Sequence, residues 1–252
     1  MRAVGLLVTV AIGTIAGLVC VLADAGVSSG VSASRLSCPA PGPSRLVMVD
    51  RHALIGDVDG DGRADRVFTA RVRKASGRCL YVLVVVSRGR YRTLTLGKDS
   101  MGPDFASRPW EAGTPAVDVL ARLDRKPGAE MLVAIWQGGS GRRFDAVFTM
   151  RRDRLTRLDV SGMGVAGNVL DFGSGGGAVV ALGCAKDKPG RFYQLIGLHS
   201  NRGWKITSTE YAFRNDAVVR VSERSEGVHP DLTSDFQRLL AGCAVATNFG
   251  RR

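Results

Sequence analysis

Four aspartates with regular spacing stand in one short segment of the chain. Asp57, Asp59 and Asp61 alternate with other residues, and Asp65 follows four positions later. Ca²⁺ takes six to eight oxygen ligands, and carboxylates at alternate positions of a tight loop can converge on one ion. The glycines between the aspartates give the backbone the freedom that such a turn needs. The segment predicts a calcium site with ligands at loop positions 1, 3, 5, 7 and 9, which are Asp57, Asp59, Asp61, the carbonyl of Arg63, and Asp65. The alternative is a metal-free surface turn rich in Asp and Gly.

The residues that follow the aspartates distinguish this loop from an EF-hand. An EF-hand needs a bidentate Glu at position 12 and two flanking helices, whereas position 12 here is Phe68 within a predicted strand. The pattern D-x-D-x-D-G-x-x-D running into a strand, over Ile55 to Val72, resembles the calcium loop of FG-GAP and VCBS-type repeats. Such repeats occur in integrin α-subunit propellers and in exported bacterial proteins. The resemblance implies a β-propeller-like binding module with structural Ca²⁺ on its loops.

Short runs typical of β-strands, separated by turns, fill the region that follows. They form three similar units, and the residues after the last turn of each unit are Tyr91, Leu155 and Trp204, with spacings of 64 and 49. Periods of this size are typical of propeller blades or of another β array. We therefore expect an all-β domain over 46–252, built from propeller-like repeats of short antiparallel strands. Three units are fewer than the four to eight blades of a closed propeller, so ring closure stays open.

One short helix is expected near the end of this domain, at 232–244. An apolar stripe with helical spacing ends at Cys243 and would place that residue on the buried face. Cys20 lies in the predicted signal peptide, which is described below, so four cysteines remain in the mature chain. They form no C-x-x-C motif and no Cys/His cluster, so a zinc site is not predicted. Two structural disulfides are expected. The pairings with the shorter loops are Cys38–Cys79 and Cys184–Cys243.

The N-terminal sequence predicts export. A positive charge at Arg2 precedes an uncharged apolar stretch over 3–23, and small residues follow at Ala23 and Ala25. This pattern is typical of a signal peptide over 1–25. A retained N-terminal anchor is the alternative, since about 20 apolar residues can span a bilayer. Residues 26–45 then form a flexible lead-in. The predicted location is secreted or associated with the cell envelope, with membrane attachment only through the N-terminal segment.

Composition narrows the classes of protein and partner. The chain has 252 residues, 45% hydrophobic and 23% charged, which excludes disorder and a multi-span membrane protein. Its net charge of +12 comes mainly from arginine. No run of five basic residues occurs, so the charge predicts a distributed solvated surface and nucleic acid is not expected as a partner. Binding to an anionic envelope polymer would require one Arg-dense face.

A second copy of the loop is expected in the second unit. A shift of 65 residues places Asp124 under Asp59 and Glu130 under Asp65, but Arg122 and Lys126 under the other two aspartates. This loop should bind no Ca²⁺. We expect Arg122 and Lys126 to neutralise Asp124 and Glu130 in place. The alternative is a chance alignment with a charged Pro-Gly turn.

Together these features predict an exported calcium-binding β-repeat module that binds an unknown extracellular ligand or has a structural role at the cell surface. No motif pairs a general acid with a base or a nucleophile, so no catalytic residue and no organic cofactor is predicted. The alternative is an extracellular hydrolase that acts on carbohydrate on a propeller-like scaffold. Its carboxylate pair could lie far apart in sequence.

Overall fold

Most of the described residues lie in β-strands, which hairpins and short loops connect. The computed structural model describes residues 46–48, 52–73, 79–97, 115–124, 126–137, 142–163, 168–185, 188–231 and 242–247. Within these ranges the chain forms fifteen strands, one 3₁₀ turn at Ser161–Met163 and no α-helix. The all-β prediction is therefore confirmed. None of the described segments forms a helix with the length and hydrophobicity of a membrane span.

The strands pair in antiparallel fashion. Their bounds are β1 Val47–Met48, β2 Leu54–Gly56, β3 Asp65–Arg73, β4 Cys79–Ser87, β5 Arg90–Leu96, β6 Ala116–Ala121, β7 Glu130–Gln137, β8 Arg143–Arg151, β9 Arg154–Arg157, β10 Leu170–Gly175, β11 Ala178–Cys184, β12 Arg191–Ser200, β13 Gly203–Arg214, β14 Ala217–His229 and β15 Ala244–Thr247.

Three four-stranded units follow one another along the chain. They are β2–β5, β6–β9 and β11–β14, and we call them the first, second and third units. β10 pairs with both β8 and β11 and so joins the second and third units in one sheet, while β15 pairs with β6. Neither sheet path returns to its first strand, so the described strands form no closed barrel.

A two-residue turn connects the third and fourth strands of each unit. The turns are Arg88–Gly89, Arg152–Asp153 and Asn215–Asp216, and all six residues have positive φ. Left-handed backbone at both positions defines the type I′ hairpin, whose twist matches that of the flanking strands. The turns begin 64 and 63 residues apart.

The even spacing of these turns corrects the sequence alignment of the third unit. The sequence interpretation aligned Trp204 with Tyr91 and Leu155, which gave a spacing of 49. In the structure the turn before Trp204 joins β12 to β13, the second and third strands of the unit. The fourth strand is β14. Hairpins at the two ends of a four-stranded unit look alike in sequence, so the pattern alone did not distinguish them.

The second unit is buried on both faces. Along β8, Ala146, Phe148 and Met150 belong to a core shared with the first unit, which contributes residues such as Leu83. Val147 points the other way, into a core shared with the third unit. Because both faces of β8 are buried, its sequence is a nearly continuous apolar run. The packing of the units against one another also brings their loops together.

The end of the domain differs from the expected helix. Residues 232–241 lie outside the described residues, but Cys243 lies in a turn and Ala244 begins β15, so a helix does not reach 244.

The Cys184–Cys243 disulfide is present, with a Cα–Cα distance of 5.2 Å, which confirms that pairing. Cys243 is buried because its turn packs on the core of the third unit. The Cys38–Cys79 pairing, the leader and the lead-in lie outside the described residues and side chains.

Candidate metal centre

The loop that carries the aspartates connects β2 to β3 and spans residues 57–64, which we call the first loop. Gly60 and Gly62 have φ of +82° and +81°, a region that L-residues with side chains rarely adopt. A Cβ atom at Gly60 would lie 2.6 Å from the Cβ of Pro127 in the second unit. Position 60 therefore requires glycine both for its backbone conformation and for the close approach of its neighbour.

Asp57, Asp59 and Asp61, which we call the aspartate cluster, face a common space. One carboxylate oxygen of each lies within 4.8 Å of the others. Ca²⁺–oxygen distances are about 2.3–2.6 Å, so two ligands on opposite sides of one ion stand about 5 Å apart. The three side chains are half-buried, which limits the water that competes with them. Their separation and chemistry fit a hard divalent cation.

Backbone N–H groups of the same loop hold the carboxylates in position. Gly60 N–H donates to Asp57 Oδ1 (2.7 Å) and Gly62 N–H donates to Asp57 Oδ2 (3.0 Å). Asp61 N–H donates to Asp59 Oδ1 (3.0 Å). Each carboxylate oxygen has further lone pairs, so these bonds orient the side chains without exhausting their capacity to accept.

Asp65 and Arg63, the other two predicted ligands, lie outside the aspartate cluster. Asp65 is only 1% exposed, and its Oδ2 accepts the N–H groups of Val58 (3.0 Å) and Asp59 (3.4 Å). It therefore braces the loop from the first residue of β3. Arg63 is exposed, and its N–H donates to Asp61 Oδ1 (2.7 Å).

Two residues of the adjacent hairpin also contact the aspartate cluster, and the sequence analysis missed them. Ser87 Oγ–H donates to Asp59 Oδ2 (2.7 Å), and Arg88 Nε–H donates to Asp61 Oδ2 (2.6 Å). The Arg88 guanidinium holds the pKa of Asp61 below its usual value. Ser87 is the last residue of β4 and Arg88 is the first residue of the turn after it. Both are more than 25 residues away along the chain, and strand pairing brings them here.

The second unit repeats the loop geometry at 122–129, which we call the second loop. Glu130 Oε2 accepts the N–H of Leu123 (2.7 Å), as Asp65 does for the first loop. Asp124 Oδ1 accepts the N–H of Lys126 (2.6 Å), which matches the bond within the aspartate cluster. Both matches have the offset of 65 residues. The alignment of the two loops is thus confirmed by their hydrogen bonds.

An arginine at the end of β8 binds the carboxylates of the second loop. Arg151 Nη2 donates to Asp124 Oδ2 (3.1 Å) and to Glu130 Oε1 (3.0 Å), and its Nη1 donates to the carbonyl of Pro127 (2.9 Å). Arg151 is the last residue of its strand, as Ser87 is in the first unit. A guanidinium therefore bridges the second loop's carboxylates from the position where the first unit has a hydroxyl.

This arrangement corrects the expectation for Arg122 and Lys126. Within the described residues, the cation that contacts Asp124 and Glu130 is Arg151, while the ammonium of Lys126 pairs with Asp216 of the third unit. The Arg122 backbone N–H donates to the Cys243 carbonyl. The expectation failed because Arg151 approaches from another strand, which no local spacing can show.

Glu130, the first residue of β7, has a strongly raised pKa. Burial is the main cause and the nearby Asp124 carboxylate a smaller one, and together they raise its pKa to about 7. The Leu123 N–H and the Arg151 guanidinium act in the opposite direction, because both favour the charged form.

The two loops pack directly against each other. Ala129 N–H donates to the Asp57 carbonyl (2.8 Å). Gly128 has φ of +92°, and a Cβ there would lie 2.6 Å from the Val58 carbonyl oxygen. The first loop thus takes its shape partly from the second.

Comparison with known proteins found no matching family model, no matching curated protein and no matching solved structure. The resemblance to FG-GAP and VCBS calcium loops therefore rests on the residues of the first loop and the strand after it. Membership of that family stays a prediction.

Proposed function

We propose that this chain is an exported calcium-binding β-repeat protein, similar to FG-GAP and VCBS modules, with a binding or structural role at the cell surface. The observation that carries the proposal is the convergence of three carboxylates in a loop that is already fixed by backbone hydrogen bonds. Preorganised oxygen donors on a rigid loop suit Ca²⁺, which requires only oxygen ligands and tolerates irregular geometry.

Calcium in this site would have a structural role. Asp57, Asp59 and Asp61 would hold the ion, which would offset the mutual repulsion of their charges. Because the site exists only in the folded chain, bound calcium adds to stability by mass action. The few protein ligands and the exposure of the loop suggest an affinity in the extracellular range, about 10⁻⁴–10⁻³ M.

Export is supported by two independent features. The Cys184–Cys243 disulfide suits an oxidising compartment, since cytosolic thiols are normally kept reduced. The apolar N-terminal sequence has the pattern of an export signal. Extracellular calcium is also abundant enough to fill a weak site.

Thermal unfolding with and without calcium tests this proposal. At 10 mM Ca²⁺ we expect the Tm to rise by roughly 3–8 °C relative to the chelated protein. Asp59→Asn and Asp61→Asn should each abolish the rise, because they remove a charged ligand and preserve shape. Asp231→Asn, at an exposed aspartate outside the loops, should keep it. Equal Tm values with calcium and with chelator would refute the proposal.

The alternative, a hydrolase, finds no comparable support. A glycosidase needs two carboxyl groups flanking the scissile bond. One cavity between the second and third units includes a single carboxylate, Asp124, and another on the third unit includes only Glu210. Neither cavity provides the pair that this chemistry requires.

A further inference from the structure

The first residue of the second strand has the opposite charge in the third unit. In the first and second units it is an acid, Asp65 or Glu130, whose carboxylate caps the preceding loop. In the third unit the residue is Arg191. The loop before Arg191 spans residues 185–190 and is two residues shorter than the first and second loops. The position that is acidic in two units is therefore basic in the third.

The last residue of the third strand changes in the same direction. It is Ser87 in the first unit, Arg151 in the second and Arg214 in the third, each just before the type I′ turn. Arg151 has two carboxylate partners. Arg214 is exposed and forms no ion pair within the described part of the chain.

These two arginines line a cavity of about 250 Å³ between the second loop and the third unit. Lys126 adds a third cation to its wall, and Ala212 and Phe213 form an apolar part of it. The Arg191 Nη1 atom is enclosed and donates no hydrogen bond to any described group. An enclosed donor without an acceptor is costly, so this end of Arg191 is not stabilised by the chain itself.

The carboxylates near the cavity do not neutralise the cations that line it. Asp124 lines the wall but is bound by Arg151, and Asp216 is bound by Lys126. Glu210 stands 4.0 Å from Arg191 Nε and 3.9 Å from Lys188, so it is shared between two cations. Arg214 has no ion pair among the described residues and Arg191 has only a distant, shared one, so both keep an unmet capacity to bind an anion in the cavity.

We propose that this cavity binds a small phosphate-bearing ligand. A phosphate group carries nearly two negative charges and three acceptor oxygens, which matches the planar donor forks of two arginines. The cavity is small, so it suits a phosphate with at most a short substituent. The site is independent of calcium and does not rest on the function proposed above.

Calorimetric titration of the calcium-free protein with inorganic phosphate, at constant ionic strength, tests the site. We expect one phosphate per chain and at least tenfold weaker binding of acetate. Arg214→Ala should weaken phosphate binding at least tenfold, and Arg191→Gln should do the same. Arg202→Ala removes an exposed arginine from the hairpin at the other end of β12 and β13, and should keep wild-type affinity.

Arg214 is exposed, so its variant should keep the wild-type Tm, and it decides the question if Arg191→Gln does not fold. Unchanged phosphate binding in Arg214→Ala would overturn the proposal, as would an equal loss in Arg202→Ala or no binding at 10 mM phosphate. Acetate binding as tight as phosphate binding would overturn the assignment of the ligand class.

Discussion

Arg88 and Arg151 form different kinds of ion pair with the carboxylates of the first and second loops. Arg88 has a side chain that is 61% exposed, and it pairs with Asp61 alone. Arg151 is only 23% exposed and bridges Asp124 to the buried Glu130. An exposed single contact is weak and can be displaced by another cation, whereas a buried double contact is held firmly. If the first loop binds calcium as proposed, the ion should compete with Arg88 and not with Arg151.

Removing Arg88 should strengthen calcium binding. Arg88→Gln abolishes the ion pair with Asp61 and the repulsion between the guanidinium and the incoming ion. We expect a gain in calcium affinity of roughly two- to fivefold, measured by calorimetry at low salt. Arg90→Gln is the matched control, since Arg90 is exposed on the same hairpin. A gain of the same size in both variants would show that only net charge matters and that the Arg88 contact has no specific role.

Glu130 should make stability depend on pH. Its pKa is raised to about 7 in the folded chain, from 4.5. Between these values the unfolded chain releases the Glu130 proton while the folded chain keeps it, so stability falls as pH rises. The contribution is roughly 3 kcal/mol, fully present below pH 4.5 and lost above about pH 7.

Chemical denaturation of Glu130→Gln across this pH range measures that contribution. The free energy of unfolding of the variant should rise relative to wild type by roughly 3 kcal/mol from pH 4.5 to pH 7. Glu223→Gln, at an exposed glutamate, should show no such trend. A constant difference between Glu130→Gln and wild type would contradict the assignment.

At the scale of elements, the contact between the first and second loops is expected to fix the aspartate cluster. Gly128→Ala strains a residue with φ of +92° and drives a Cβ atom to 2.6 Å from the Val58 carbonyl oxygen. Gly89→Ala is the control, because Gly89 has φ of +72° but open space around it. The control should cost about 1–2 kcal/mol of stability, from backbone strain alone. Gly128→Ala should cost roughly 1–3 kcal/mol more and should also weaken calcium binding. Equal costs would show that the loops do not depend on each other.

The sequence predicted elements whose signal is local and missed those whose partners are distant. Alternating apolar residues and turn pairs predicted the strands, and the aspartate spacing predicted the loop. Arg151 and Ser87 reach the loops through strand pairing, so no spacing could identify them. The predicted helix over 232–244 is wrong at its end, because Cys243 lies in a turn and Ala244 pairs with β6 although the apolar spacing is helical. The turn spacing of 64 and 63 was readable in principle, because all three turns carry residues that tolerate positive φ.

At the scale of the whole molecule, the three units carry different charged residues at corresponding positions of one end. In the first unit three carboxylates lie close together, and in the second unit Arg151 pairs with the carboxylates. In the third unit Arg191 and Arg214 line one cavity. A repeated scaffold allows this divergence, because the cores between units fix the backbone while the loops vary. On this account a single calcium ion binds each chain, at the first unit.

Counting bound calcium tests this account most directly. Calorimetric titration of the purified protein should saturate at one Ca²⁺ per chain, and Asp59→Asn should abolish the binding. The second loop should take no ion, since Arg151 already bridges its carboxylates. A plateau at two ions per chain, or one ion that still binds with wild-type affinity to Asp59→Asn, would contradict the account.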